Sequence, residues 1–149
     1  MMRARGVALL TAALALGCAG ASAGGLPSTQ QFTRHVNATP ASLVSAALAT
    51  FSRYGIPVAS SDETSGRVRS VPMSLRGNWG PVPLEERVSC PGAASDTLPG
   101  RVTFEVQVKP VRYGSDVTLN AQRQGDSRCV IRSSFVTKLL DEIAGAQPR

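Results

Sequence analysis

The sequence predicts an α+β fold: a two-layer sandwich of order α-β-β-β-β-α, with an antiparallel four-stranded sheet and both helices on one face. Three observations lead there. Residues 40–54 and 133–144 carry apolar side chains at helical spacing. Residues 102–122 alternate apolar and polar on both sides of a turn, as strands with one face on a core and one in water do. Two amphipathic helices and a one-sided sheet bury together economically only as two layers. The 149 residues, 42% apolar and 17% charged, suit one globular domain and fall short of two.

In chain order, residues 1–17 read as a lipoprotein-type signal peptide. Arg3 and Arg5 form a positive start, and Val7 to Leu16 is an uncharged, mostly apolar run. That run is about half the ~20 residues a membrane-spanning helix needs. Leu14-Ala15-Leu16-Gly17-Cys18 resembles a bacterial lipobox, in which the Cys is acylated and becomes the new N-terminus. Acyl chains contribute ~0.8 kcal/mol per buried methylene, enough in combination to hold a protein on a membrane without a span. Ala21-Ser22-Ala23 offers an alternative cleavage site that would release a soluble protein beginning at Gly24. Residues 18–38, rich in Gly, Ser and Gln, read as a flexible tether.

The single domain is expected over 39–145, with 146–149 as a tail. Thr39 and Pro40 supply an N-cap and a first helical residue that lacks an amide hydrogen. Leu43, Val44, Ala47, Leu48 and Phe51 form the stripe of helix 40–54, and Gly55 and Pro57 stop it. Ile56–Ser60 and Arg67–Leu75 read as a hairpin around Asp62-Glu63-Thr64-Ser65-Gly66. Residues 76–100 form a long irregular stretch with four prolines. The second hairpin sets Val102, Phe104, Val106 and Val108 against Val117, Leu119 and Ala121 across Tyr113-Gly114-Ser115. Val136, Leu139, Leu140 and Ile143 stripe the last helix.

Cys18, Cys90 and Cys129 are the three cysteines. With Cys18 lipidated or removed, an even pair remains in an exported chain, so a Cys90–Cys129 disulfide is expected. Two thiolates and one distant His cannot supply four zinc ligands, so neither metal nor cofactor is implied. Net charge is +6, falling to +4 once Arg3 and Arg5 leave. Fourteen of the 16 cations are Arg, but no run of five basic residues occurs. With 5% aromatic residues there is no base-stacking surface, so nucleic acid is not an expected partner.

The helix followed by Gly55-Ile56-Pro57-Val58, the turn ending Ser65-Gly66-Arg67-Val68, and Cys129 before the last helix resemble small bacterial lipoproteins of unassigned function. The element order is similar to the repeated helix-grip domain of the lipoprotein C component of the outer-membrane β-barrel assembly machine. The resemblance covers 39–145 as a pattern, with identities at Gly55 and Ser65-Gly66. This chain has one such unit rather than two. The resemblance implies a helix-grip domain on a lipoprotein and transfers no functional residue.

Catalysis finds little support. His35, the only histidine, falls in the expected tether, where nothing fixes its geometry. Asp62-Glu63 and Glu85-Glu86 are neighbours in turns and loops and read as solvated charge. The expectation is a non-enzymatic, lipid-anchored envelope protein, outer-membrane and facing the periplasm, with an envelope protein as partner. Its contact residues would be Arg67 and Arg69 on the outward sheet face and Trp79 in the 77–81 loop, Trp being a frequent interface anchor. The alternative is a soluble periplasmic or secreted protein that binds an anionic or lipid ligand.

Overall fold

The computed structural model describes residues 29–90, 100–125 and 129–145. The expected signal segment, Cys18 and the 146–149 tail lie outside them. The elements are β1 (Thr29–Val36), α1 (Pro40–Arg53), β2 (Val58–Asp62), β3 (Arg67–Ser70), β4 (Met73–Ser74), α2 (Leu84–Arg87), β5 (Val88–Ser89), β6 (Arg101–Val111), β7 (Gly114–Gln124), β8 (Val130–Ile131) and α3 (Ser133–Gly145). The main sheet is antiparallel, with order β1-β7-β6-β3-β2 and β4 pairing with β6; β5 and β8 make a second, two-stranded sheet.

This corrects the expected α-β-β-β-β-α sandwich. The main sheet has six strands rather than four, a second sheet accompanies it, and the described residues form three helices rather than two. The largest difference is β1, which occupies residues assigned to a tether. It pairs with β7 from Thr29↔Gln122 to Val36↔Ser115. Its sequence, TQQFTRHV, hides the alternation because two of its four inward residues are polar and find partners there. Gln30 Nε2 donates to the Ile131 carbonyl at 2.7 Å, and Arg34 Nε meets Asp141 Oδ1 on α3 at 3.0 Å. The expected strand 67–75 divides into β3 and β4 at Val71-Pro72, because proline has no N–H to give a ladder.

The helices form where their apolar spacing predicts. Thr39 Oγ1 accepts from the Ser42 amide at 3.3 Å, which satisfies one of the helix-start donors, and Pro40 follows. Leu43, Val44, Ala47 and Phe51 on α1 and Phe135, Val136, Leu139, Leu140 and Ile143 on α3 are buried. They pack on each other and on Val102, Phe104, Val106, Val108, Val117, Leu119 and Ala121.

Residues 75–83 turn under the core rather than outward. Trp79 is 2% exposed, its ring edge-on to Phe104 at 5.8 Å between centroids, and its Nε1 donates to the Ser74 carbonyl at 3.0 Å. Gly55 (φ +63°) and Gly80 (φ +46°) let this loop touch the end of α1 backbone to backbone. A Cβ on Gly80 would stand 2.9 Å from the Tyr54 carbonyl carbon. Arg87 lies over Trp79, guanidinium to ring centroid 4.5 Å, and donates to the Val82 and Gly77 carbonyls at 3.1 and 2.9 Å. At 2% exposure it has lost its water, and that desolvation pulls its pKa down while nearby Glu85 opposes the shift. The Cys90–Cys129 disulfide joins the ends of the small sheet, beside the Val88↔Ile131 and Ser89↔Val130 pairs.

Two consequences are measurable by chemical denaturation. The bridge spans 39 residues, so a Cys90→Ala/Cys129→Ala variant should lose roughly 3–4 kcal/mol of stability by the loop-closure relation. Gly80→Ala, at a positive φ with no room for a Cβ, should lose at least about 1 kcal/mol, lowering the midpoint at unchanged slope.

Candidate functional site on the outward sheet face

Because side chains alternate along a strand, placing the apolar residues of β6 and β7 against the helices sends their neighbours to the other side. The register then arranges those neighbours in cross-strand rows. One row runs Arg69, Glu105, Asn120, Gln31 across β3, β6, β7 and β1; the next runs Thr103, Gln122, Thr29. Together these seven residues line a hollow of about 290 Å³. Beyond it, Arg67, Gln107, Thr118 and Thr33 make a third row, closed by the Thr33–Thr118 hydroxyl pair at 2.9 Å.

The charges on this face are unequally matched. Arg67 Nε donates to Gln107 Oε1 at 3.1 Å and stands 3.7 Å from Glu105 Oε1. Glu105 therefore leans to Arg67, and Arg69 has no hydrogen bond or ion pair among the described residues. The floor of the hollow is also short of partners. Thr103 is 3% exposed although it points away from the helices, and its Oγ1 is buried without a hydrogen bond; so is Asn120 Oδ1. A buried polar atom left unpaired costs about 1–3 kcal/mol, which makes two in one hollow informative.

Of the sequence-predicted contact residues, Arg67 and Arg69 lie side by side on this face. Trp79 does not join them: it is sealed in the core and presents no surface to a partner. Thr29 and Gln31 carry no sequence signal as wall residues, because β1 lacks the apolar alternation that marks a strand. The deep position of Thr103 has no sequence signal, since alternation alone makes it one more solvated residue.

One row further along the same face, His35 is placed by β1 rather than by a tether, with Nδ1 3.0 Å from Asp116 Oδ1; both are largely exposed, and no hydroxyl or thiol is bonded to this pair among the described residues. Asp62 accepts from the Thr64 and Ser65 amides at 2.9 and 3.3 Å, and bonds from Ser65 first, then Thr64, hold its carboxyl below the usual range. It organises the β2–β3 turn. Among the described residues no group of three His, Cys, Asp or Glu is arranged to hold a metal, and no helix is long and apolar enough to cross a membrane. A polar cluster joins α1 to α3: the Tyr54 hydroxyl donates to Glu142, and Arg53 Nη1 reaches Glu142 Oε2 at 3.1 Å.

No family model and no curated protein matches this chain. Among solved structures it is similar to a crystal structure of a protein from Chromobacterium violaceum, at 16% identity over 81% of this chain and 98% of that one, with a TM-score of 0.39. It is also similar to an uncharacterised protein from Rhizobium leguminosarum, at 11% identity over 78% and 91%, with the same TM-score of 0.39.

The α1–α3 cluster has a titration signature. Burial, then the hydrogen bond and charge of Glu142, push the Tyr54 phenol up from 10.0 to about 12. A raised folded pKa favours the neutral form, so this contribution to stability is whole below pH 10 and fades as pH rises towards 12. Ultraviolet titration should show one tyrosine ionising near 12, absent in Tyr54→Phe. Glu142→Gln should lower that value without restoring the ordinary one, because the burial remains.

Proposed function

We propose that this protein is a non-enzymatic bacterial envelope lipoprotein, cleaved before Cys18 and held on the membrane by acyl chains. Its single domain engages an envelope protein through the outward sheet face. The observation that carries the contact role is the polar face itself: four strands wide, with Arg67 and Arg69 adjacent and Arg69 making no ion pair among the described residues. Arg presents a planar fork of donors suited to carboxylates on a partner. The lipobox-like run at Leu14–Cys18 supports the anchor, and the disulfide is in keeping with an oxidising compartment. The face carries the His35–Asp116 pair, but among the described residues no hydroxyl or thiol is hydrogen-bonded to it, which supports binding over catalysis.

A second reading, a soluble exported protein starting at Gly24 that binds an anionic ligand, draws on the same unpaired Arg69 and the hollow beside it. Mass spectrometry of the mature N-terminus separates the two.

Metabolic labelling with a radiolabelled fatty acid should mark the wild-type chain, and Cys18→Ala should abolish the label and release the protein from membranes. Photo-crosslinking in cells from position 118 should capture a protein partner, with yield falling at least tenfold in Arg67→Gln/Arg69→Gln. An unlabelled chain beginning at Gly24 would remove the anchor, and capture indifferent to both arginines would remove the contact face.

A further inference from the structure

Within that face, the hollow between β3, β6, β7 and β1 has a chemistry of its own. We propose that it is a binding site for a small zwitterion of the amino-acid class, a free amino acid or a dipeptide. Three features point to such a ligand. The Arg69 guanidinium borders the hollow and makes no ion pair among the described residues, because Glu105, its neighbour across the strands, leans to Arg67 at 3.7 Å. Glu105 and Asn120 occupy the next two places in the same cross-strand row, so an acceptor and a carboxylate follow directly on the cation. Asn120 Oδ1 is buried without a donor, and behind it Thr103 Oγ1 is buried without any partner on a residue only 3% exposed. A cation without an ion pair on β3 and an acceptor without a donor on β7, with Glu105 on the strand between them, match a small molecule that carries both a carboxylate and an ammonium.

The other ligand classes fit less well. A phosphate or other dianion would meet the Glu105 carboxylate in a site with one unpaired Arg, so repulsion offsets much of its attraction. A neutral sugar would want an aromatic platform, and no ring lines the hollow. A simple amine would leave Arg69 as it is, and a simple carboxylate would leave Asn120 Oδ1 as it is. A volume of about 290 Å³ admits one or two amino-acid residues. In the bound state the ligand carboxylate takes the Arg69 fork and its ammonium lies by Glu105, with a side-chain rotation of Asn120 and Thr103 bringing their buried oxygens to the ligand. This assignment rests on the outward face being the binding surface and is independent of the lipid anchor.

The test is titration of the mature, oxidised protein at low ionic strength, by calorimetry and ligand-observed NMR. The probes are alanine, alanyl-alanine, N-acetylalanine (no ammonium), alanine amide (no carboxylate) and inorganic phosphate. Alanine or alanyl-alanine should bind saturably, and removing either charge should weaken binding at least tenfold. Arg69→Gln should weaken it at least tenfold, Asn120→Leu should weaken N-acetylalanine less than alanine, and Lys109→Gln, outside the hollow, should change nothing. Arg69→Lys, which keeps the charge and loses the fork, serves as a second variant if the first misfolds. No saturable binding of either zwitterion, equal binding of phosphate, or indifference to Arg69 would overturn the assignment. If both zwitterions fail while crosslinking to a protein still depends on Arg67 and Arg69, the ligand falls and the contact face stands. If neither is seen, both fall.

Discussion

Eleven consecutive pairs between β6 and β7, from Arg101↔Gln124 to Val111↔Gly114, set the terms for the rest of the molecule. The pairing is unbroken, so the apolar half of each strand must all face one way. α1 and α3 have no other apolar surface of comparable length to cover, and both settle there. The polar half is then left on the far side, and β1 and β3 can extend it only by continuing the same rows. A one-residue slip would drive Glu105 and Asn120 into the helices, at a cost no local rearrangement could offset. The outward hollow is therefore a by-product of the same alternation that builds the core.

That alternation also explains which parts of the fold were legible. β6, β7, α1 and α3 have apolar residues at a fixed period, so their existence and faces can be read from the chain. β1 cannot, because Gln30 and Arg34 point inward and bond to Ile131 and Asp141, partners 101 and 107 residues away. β5 and β8, with two residues each, are too short to have a period; only the two cysteines signalled that their segments meet. The site was half legible for the same reason. Arg67 and Arg69 were placed outward by their alternation with Val68, whereas Thr29 and Gln31 became wall residues only with a strand that the sequence conceals. Trp79 shows the converse. Between Gly77 and Pro81 it looks like a loop tip, and it becomes core only because Gly55 and Gly80 allow two backbones to touch.

The Trp79–Arg87 pair is a second centre of order in the irregular part of the chain. A buried guanidinium that forms no ion pair among the described residues is held by two carbonyls and a ring face, an arrangement that fixes the loop by several weak bonds rather than one strong one. Its Nη1 remains without a hydrogen bond, so the loop retains some of the desolvation cost. Helix α2 and strand β5 follow directly, which links this cation to the small sheet and through it to the disulfide.

Cys90 and Cys129 enclose β6 and β7 completely, so the covalent ring contains the whole long hairpin. The hairpin's turn is local and needs no help from a crosslink to close. The bond restrains how far the chain can unravel, because the whole hairpin lies within the ring it closes.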